Sequence, residues 1–393
     1  MNWQSLLNPK IQKFIQDNES QDVSELALKK PPNPDWDHKL ILDQIKSRQK
    51  AKKKLPLWLS AHPNIILPAP STLEQASSSA TARYKASLVK GKTFVDLTGG
   101  AGIDCHALTE YYDQGICIER DPYTAELIEH NIKCLTDIPV TTYCDTAENY
   151  IKNMEKTDLV IIDPQRRDTR KRGKFKLEEC SPAILEMLPA LLPKADRIMV
   201  KTSPMLDIKQ GITQLQNIHT VHIVEWNNDC KELIFIMGEN PPDCPEINAV
   251  SINDNGEIIT EISFTLEEEN SAETEYCQPL NYLYEPGPAF QKSGGFNILA
   301  KRLNLKKLHP HTHLYTSDIL LSHFPGRRFK IIDQYTVKSE KIPLKQAHIT
   351  TRNFPSDVKT LRKKLKIQEG GDDYLFACTL HDETKKILHS RKI

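Results

Sequence analysis

Between Thr93 and Gly238 the chain alternates short apolar runs with stretches of helical spacing. The runs are TFVDL (93–97), GICIE (115–119), VTTYC (140–144), DLVIID (158–163), RIMVK (197–201), VHIVEW (221–226) and LIFIM (233–237). Apolar runs buried on both faces suit a mostly parallel sheet covered by helices. Only a short turn separates the last two runs, so the alternation ends in a hairpin. The pattern predicts an α/β domain with a seven-stranded sheet. It lacks the second nucleotide-binding half of an ordinary dinucleotide fold.

On either side the texture differs. Residues 1–90 read as helical, with Ile11, Phe14 and Ile15, and then Leu40, Leu42 and Ile45, at helical spacing, and Pro31, Pro32 and Pro34 breaking the pattern between them. Lys46, Arg48, Lys50, Lys52, Lys53 and Lys54 crowd nine positions and suit either a solvated helix face or phosphate contacts. The serines of EQASSSATARYKASL (74–88) can cap a helix. Residues 240–278 alternate apolar and polar around a turn at Asn255-Gly256 and end in an acidic run, Glu267 to Glu275, that suits an exposed linker or loop. Residues 279–393 form a further α+β unit. It has a helix at about 296–303, strands near 313–316, 329–336 and 347–351, a helix at 356–365 and a strand at 374–380. The domains expected are therefore 1–90, 91–239, 240–278 and 279–393.

Composition narrows the partners. Lysine plus arginine (52) balances aspartate plus glutamate (52), so only local patches can select a charged ligand. No stretch of about 18 apolar residues is present, and no membrane span is expected. The nine cysteines include no CxxC pair, which points to reduced thiols rather than a disulfide framework or zinc ribbon. With no secretory signal in MNWQSLLNPKIQKF, the cytoplasm is the expected compartment.

The sharpest chemical signal is FVDLTGGAGID (94–104). A strand runs through Asp96 into Thr98-Gly99-Gly100-Ala101-Gly102, and a helix follows from about Ile103. Glycines at such a turn let a ligand approach the backbone closely, and the helix N-terminus brings free N–H donors. A tight βα turn with no ligand would look similar from this segment alone. Glu119 then ends the second run, Asp145 the third and Asp163 the fourth. Each carboxylate stands at a strand's C-terminal end, where open α/β sheets bind ligands. Asp145 is also fit to cap the helix that follows it.

These residues resemble the class I S-adenosylmethionine-dependent methyltransferases, a Rossmann-like fold. Asp96-Leu97-Thr98-Gly99-Gly100-Ala101-Gly102 looks like their first motif, and Thr98 is similar to variants common among RNA methyltransferases. The resemblance implies that Glu119 binds ribose, that Asp145 meets adenine, and that Asp163-Pro164 lies beside the transferred methyl. A narrower resemblance spans nearly the whole chain. KLPLW, EQASSSATARYKA, DPQRRD, YLYEPGPAFQKSGGFNILAKRL, HLYTSD and RNFPSDVKTLRKKLKIQEGGDDYLFACTL are similar to bacterial methyltransferases with a C-terminal THUMP-like domain. The resemblance implies a small ferredoxin-like β/α module over 240–278 ahead of the THUMP-like end. THUMP domains proper bind RNA, so it also implies RNA as the substrate class.

The fourth motif bears on the acceptor. Asp163-Pro164-Gln165-Arg166 carries no aromatic ring and no second proline, which disfavours an extruded base amine. A ring-carbon mechanism needs a nucleophilic cysteine, and Cys180 and Cys230, the nearest by region, lack the expected surroundings. Direct in-line transfer follows, with Asp163 able to accept a proton and Gln165 able to orient the acceptor. Lys201, on the same rim, could contact substrate; a surface salt bridge is the plainer account. Arg166, Arg167, Arg170, Lys171, Arg172, Lys174 and Lys176 put seven cations into fourteen residues beside this motif, which suits phosphate binding; a solvated loop is the plainer alternative. Arg362, Lys363 and Lys364 form a second basic set in the C-terminal helix. His309, His311 and His313 would share one face of a strand; without an added acid or cysteine they read as a non-metal turn. The other functions open to the chain are methylation of a protein or small molecule, and RNA binding without catalysis.

Overall fold

A computed structural model describes residues 2–167, 175–336 and 342–393, and divides the chain into two compact units. The first unit comprises residues 1–226, 231–243 and 252–258. It opens with helices α1 (Pro9–Asp17), α2 (Val23–Ala27), α3 (His38–Lys54), α4 (Pro56–Ala61), α5 (Pro70–Gln75) and α6 (Ser79–Leu88). Asn8, Asp22, Asp37 and Ser78 cap α1, α2, α3 and α6 through their side chains. Ser78 of the serine cluster thus starts α6, and residues 76–78 separate it from α5. Trp3, Leu6, Ile11, Ile15, Leu40, Ile41 and Ile45 pack together, with Ile66 and Leu127 in the same cluster.

The strands are β1 (Thr93–Asp96), β2 (Gln114–Glu119), β3 (Val140–Cys144), β4 (Thr157–Ile162), β5 (Ala195–Thr202), β6 (Ile218–Trp226) and β7 (Asp229–Gly238). They lie in the order β6-β7-β5-β4-β1-β2-β3. Helices α7 (Ile103–Leu108), α8 (Pro122–Leu135), α9 (Ala147–Asn153), α10 (Ile184–Leu191) and α11 (Ile208–Leu215) alternate with them. β1 to β5 pair in parallel and β7 runs antiparallel to β5. Apart from the half-buried Asp158, β4 is buried along its whole length, as expected of a strand covered on both faces.

The second unit comprises residues 227–230, 244–251 and 259–393. It contains the neighbouring strands β8 (Glu246–Ile252) and β9 (Ile258–Phe264), helix α12 (Leu266–Ser271) and a seven-stranded sheet. The sheet strands are β10 (Tyr282–Pro286), β11 (Lys306–Lys307), β12 (Tyr315–Ser317), β13 (Gly326–Thr336), β14 (His348–Arg352), β15 (Asp373–Thr379) and β16 (Lys385–Lys392). Helices α13 (Pro288–Ser293), α14 (Phe296–Arg302) and α15 (Val358–Leu365) complete the unit. The acidic run is not a plain linker. Thr265 and Glu268 form a capping box that starts α12, and Glu269 accepts the N–H groups of Asn297 and Ile298 at 2.8–2.9 Å, capping α14. His309 to His313 form a turn rather than a strand, with His309 Nδ1 accepting from the His311 and Asn353 amides.

Candidate functional site

Strand register gathers the candidate residues. Asp96 pairs with Cys117 on β2 and Ile161 on β4, Glu119 pairs with Cys144 on β3, and Ile162 pairs with Val200 on β5. The next residue along each strand therefore falls on one edge: Leu97, Arg120, Asp145, Asp163 and Lys201. A cavity of about 580 Å³ opens there. Thr98, Gly99, Gly100, Glu119, Asp145, Asp163 and Gln165 all line it.

Two predicted residues stand behind the wall instead of on it. Asp96 is buried and accepts the Thr98 N–H at 2.9 Å, bracing the turn. Burial pushes its carboxyl up to about 7; the Thr98 N–H opposes this, and Asp104, Asp163 and Glu119 reinforce it. Gly102 starts α7 in the left-handed region, with φ of 75°. Within the turn, Gly100 has φ of 54°, and a Cβ there would meet only the Thr98 carbonyl, at 3.7 Å, so the backbone borders open space. Gly99 is required by a close approach: its Cβ would fall 2.7 Å from Cys117 Sγ and 2.9 Å from Ile128 Cδ1.

The turn's amides are bonded within the protein. Leu97, Thr98, Gly99 and Gly102 donate to protein oxygens, and Gly100 donates to Glu119 Oε2 at 2.8 Å. Glu119 Oε1 accepts the Asp121 N–H at 2.9 Å, so the carboxylate is held rigidly at the cavity wall. Asp145 accepts from Asn149 Nδ2 and from the Thr146 N–H. Thr146, not Asp145, caps α9, which leaves the Asp145 carboxylate on the cavity lining.

Under the cavity lies an array of buried ions. Lys201 Nζ donates to Asp163 Oδ2 at 2.5 Å and stands 4.0 Å from Asp104. Lys201 is 8% exposed and Asp163 half-buried, so the pair is set into the protein rather than being the surface bridge that the sequence suggested. Lys85 on α6 donates to Glu232 at 2.7 Å and to Ser77 Oγ at 3.0 Å, and lies 3.2 Å from Asp104. The antiparallel pairing of Thr202 with Leu233 brings Glu232 here. Burial works to lower the Lys201 ammonium, but Asp163, Asp104 and Glu232 outweigh it and hold the group well above its ordinary value.

A second cavity of about 530 Å³ shares Gln75, Asp163, Gln165 and Lys201 with the first. Beyond these it is lined by Pro164, Arg166, Phe175, Met205 and Lys231, among others. Arg166 lies over the Phe175 ring, 5.2 Å from its centroid. Lys54, from the basic run of α3, donates to the Leu73 and Glu74 carbonyls. Burial, with the nearby charges of Lys201 and Lys231, pulls its ammonium down to about 8. The rest of that run is largely structural, as Arg48 and Lys52 pair with Glu19 and Lys50 with Glu74. Cys180 is buried beside the motif, and burial pushes its thiol up to about 11, a poor nucleophile.

Arg167 Nε donates to the Cys180 carbonyl. Arg170, Lys171 and Arg172 lie outside the described residues. In the second unit, Arg362 is committed to the Ala347 and Ile367 carbonyls and Glu369, whereas Lys363 and Lys364 are exposed. Sequence reasoning missed Gln75, Lys85, Asp104, Phe175 and Glu232. Lys85 had one legible signal: it shares a helix face with Thr81 and Ala82, an unusual place for a solvated charge. Among the described residues no group of three or more His, Cys, Asp or Glu side chains could hold a metal ion, and no helix is long and apolar enough to cross a membrane.

Comparison with known proteins places the chain in a class. A ferredoxin-like domain model matches residues 282–325, and a THUMP domain-like model matches residues 326–392. A crystal structure from Porphyromonas gingivalis W83, of a protein provisionally named a methyltransferase, is 32% identical and superposes with a TM-score of 0.85. The match covers 98% of this chain and 97% of that one. Uncharacterized S-adenosylmethionine-dependent methyltransferases of Mycobacterium tuberculosis, strains CDC 1551 and H37Rv, are 21% identical over 306 residues, 75% of this chain and 80% of theirs. The chain belongs to the class I methyltransferases that carry a C-terminal THUMP-like domain. It is an enzyme, and its methyl donor is S-adenosylmethionine. The donor set fits that molecule: rigid carboxylates for a diol and amines, and an open backbone turn beside them.

Proposed function

We propose that the enzyme methylates RNA by direct in-line transfer from S-adenosylmethionine. The carrying observation is that two cavities, one walled by strand-tip carboxylates and the other by cations, meet across Asp163, Gln165 and Lys201. In this reading Glu119 accepts hydrogen bonds from the ribose hydroxyls and Asp145 from the adenine amine. Thr98, Gly99 and Gly100 lie against the ligand, while Asp96 and Gly102 shape the turn. Asp163, Pro164 and Gln165 border the transferred methyl. The sulfonium supplies an already activated methyl group. The protein's own task is alignment, which can contribute about 7–11 kcal/mol of a barrier. Arg166 and Arg167 beside the site, with Lys363 and Lys364 on the C-terminal helix that Arg362 holds in place, supply phosphate contacts.

Calorimetry with S-adenosylhomocysteine tests the cofactor roles. Wild type should bind near micromolar, and Glu119→Ala should weaken binding at least tenfold. Tritiated methyl transfer into cell extract, divided by ribonuclease and protease digestion, tests the acceptor. Label released only by protease would refute RNA as the substrate.

A further inference from the structure

Resting on the reading above, we propose that the acceptor is a ribose 2′-hydroxyl of RNA, held between the Lys201 ammonium and the Asp163 carboxylate. The two groups stand side by side because Ile162 pairs with Val200, and both border both cavities. Whatever crosses from one cavity to the other passes them.

An ammonium has three N–H donors and no acceptor, and a carboxylate only accepts. Lys201 makes one hydrogen bond among the described residues, to Asp163, and Asp104 at 4.0 Å is beyond bonding range. The junction thus offers a donor next to an acceptor. A hydroxyl satisfies both: one lone pair accepts from Lys201, the O–H donates to Asp163, and the second lone pair is free to attack. An exocyclic base amine fits poorly. It brings two N–H donors and a delocalised lone pair, so it gives Lys201 nothing to bond and competes with it for Asp163. A ring carbon would need a thiolate, and the Cys180 thiol is buried and kept protonated.

Charge selects the kind of hydroxyl. Arg166 and Lys231 line the acceptor-side cavity, and in RNA each internal 2′-hydroxyl neighbours the 3′-phosphodiester of its own nucleotide. DNA lacks the hydroxyl altogether. Phe175 adds an aromatic wall to that cavity, from a segment well after the fourth motif.

The step balances with these groups alone. The hydroxyl oxygen forms the new O–C bond to the methyl as the S–C bond breaks, its electron pair passing to sulfur. The hydroxyl proton goes to the second Asp163 oxygen and then to water. Lys201 stays protonated throughout and holds the oxygen as its charge changes. Lys85, Glu232 and Asp104 are positioning residues that keep Lys201 at the junction.

The test uses the full chain, tritiated S-adenosylmethionine, and total RNA from cells lacking the gene. A 2′-O-methyl group blocks alkaline cleavage on its 3′ side, so label should appear in alkali-stable dinucleotides. Label in mononucleotides overturns the inference and leaves RNA methylation standing. No label in RNA, with S-adenosylhomocysteine binding intact by calorimetry, overturns the RNA reading itself. Lys201→Met should lower transfer at least 100-fold while keeping S-adenosylhomocysteine affinity within about threefold; undiminished transfer overturns the role of Lys201. Should that variant fold poorly, Asp163→Asn serves, since its amide oxygen still accepts from Lys201 but cannot take the proton. It should show the same split between affinity and transfer.

Discussion

Replacing Lys85 by methionine removes one cation from beneath the site and leaves its partners buried. Lys85 is 1% exposed, and Glu232, its partner at 2.7 Å, is 3% exposed. Asp104 lies 3.2 Å away. Breaking a buried pair from one side costs about 3–5 kcal/mol, because the remaining charge has neither water nor a counterion. All four tryptophans, Trp3, Trp36, Trp58 and Trp226, belong to the first unit. Their fluorescence in urea therefore reports that unit without interference from the second. With a slope of about 3 kcal/mol per molar, the midpoint should fall by roughly 1–2 M. The double variant Lys85→Met/Glu232→Gln should recover about 1–3 kcal/mol relative to the sum of the single changes, since it leaves no orphaned carboxylate.

The deficit should also depend on pH. Burial already holds the Glu232 carboxyl above its ordinary 4.5, with Lys85 opposing. Without Lys85 it rises further. A carboxyl raised in the folded state keeps its proton there after the unfolded chain has released it. Its stabilisation is present below pH 4.5 and is lost as pH rises through the folded value. The variant's deficit should therefore be small near pH 4 and full at pH 8. A midpoint shift under about 0.3 M, unchanged between these pH values and not relieved in the double variant, would refute the buried ion array.

Three further outcomes follow from other contacts. Gly99→Ala, whose Cβ would fall 2.7 Å from Cys117 Sγ, should destabilise the first unit by about 1–3 kcal/mol, and adding Cys117→Ala should recover part of it in the same urea assay. Asp96 is raised from 3.8 to about 7, so its contribution is lost as pH rises from about 4 to 7. Asp96→Asn should gain on wild type steadily over that window, and a pH-independent difference between the two would contradict the buried carboxyl. In the second unit, Arg362→Ala frees the carbonyls of Ala347 and Ile367. Hydrogen exchange should speed up in α15 and β14 and stay unchanged in β1 to β5.

The transferase sheet was legible because its strands are buried on both faces, and such strands read as unbroken apolar runs. Five of the seven runs lie wholly within the observed strands, and the other two overrun a strand end by one residue each, at Leu97 and Asp163. The strand Lys385–Lys392 was missed because cations occupy half of KKILHSRK, and only Ile387 to Ser390 are buried. Tyr282–Pro286 was likewise not among the expected strands, and Pro286 ends it. Strand-tip carboxylates were visible individually, since a parallel sheet puts consecutive tips on one edge. The ions beneath them were not. Lys85, Asp104 and Glu232 come from two helices and an antiparallel strand, and nothing local in YKASL, GIDCH or CKELI says that the three meet.

That difference follows from how each part of the site is held. The carboxylates on the wall are set by backbone register, which hydrophobic periodicity encodes. Register also brings Lys201 to the junction, but the charges that hold its ammonium there, Asp104 and Glu232, are brought together only by the closed fold. An apolar substitute of similar volume could fill the space under the junction and often costs nothing in stability. It could not hold a donor and an acceptor 2.5 Å apart at a fixed point between two cavities. An array of ions set at this position is therefore better accounted for by the chemistry at the junction than by stability. If so, Lys85→Met/Glu232→Leu should fold at least as stably as Lys85→Met alone and still transfer methyl groups no faster, because Lys201 has lost the charges that position it. A double variant restored in both stability and transfer would assign the array to folding alone.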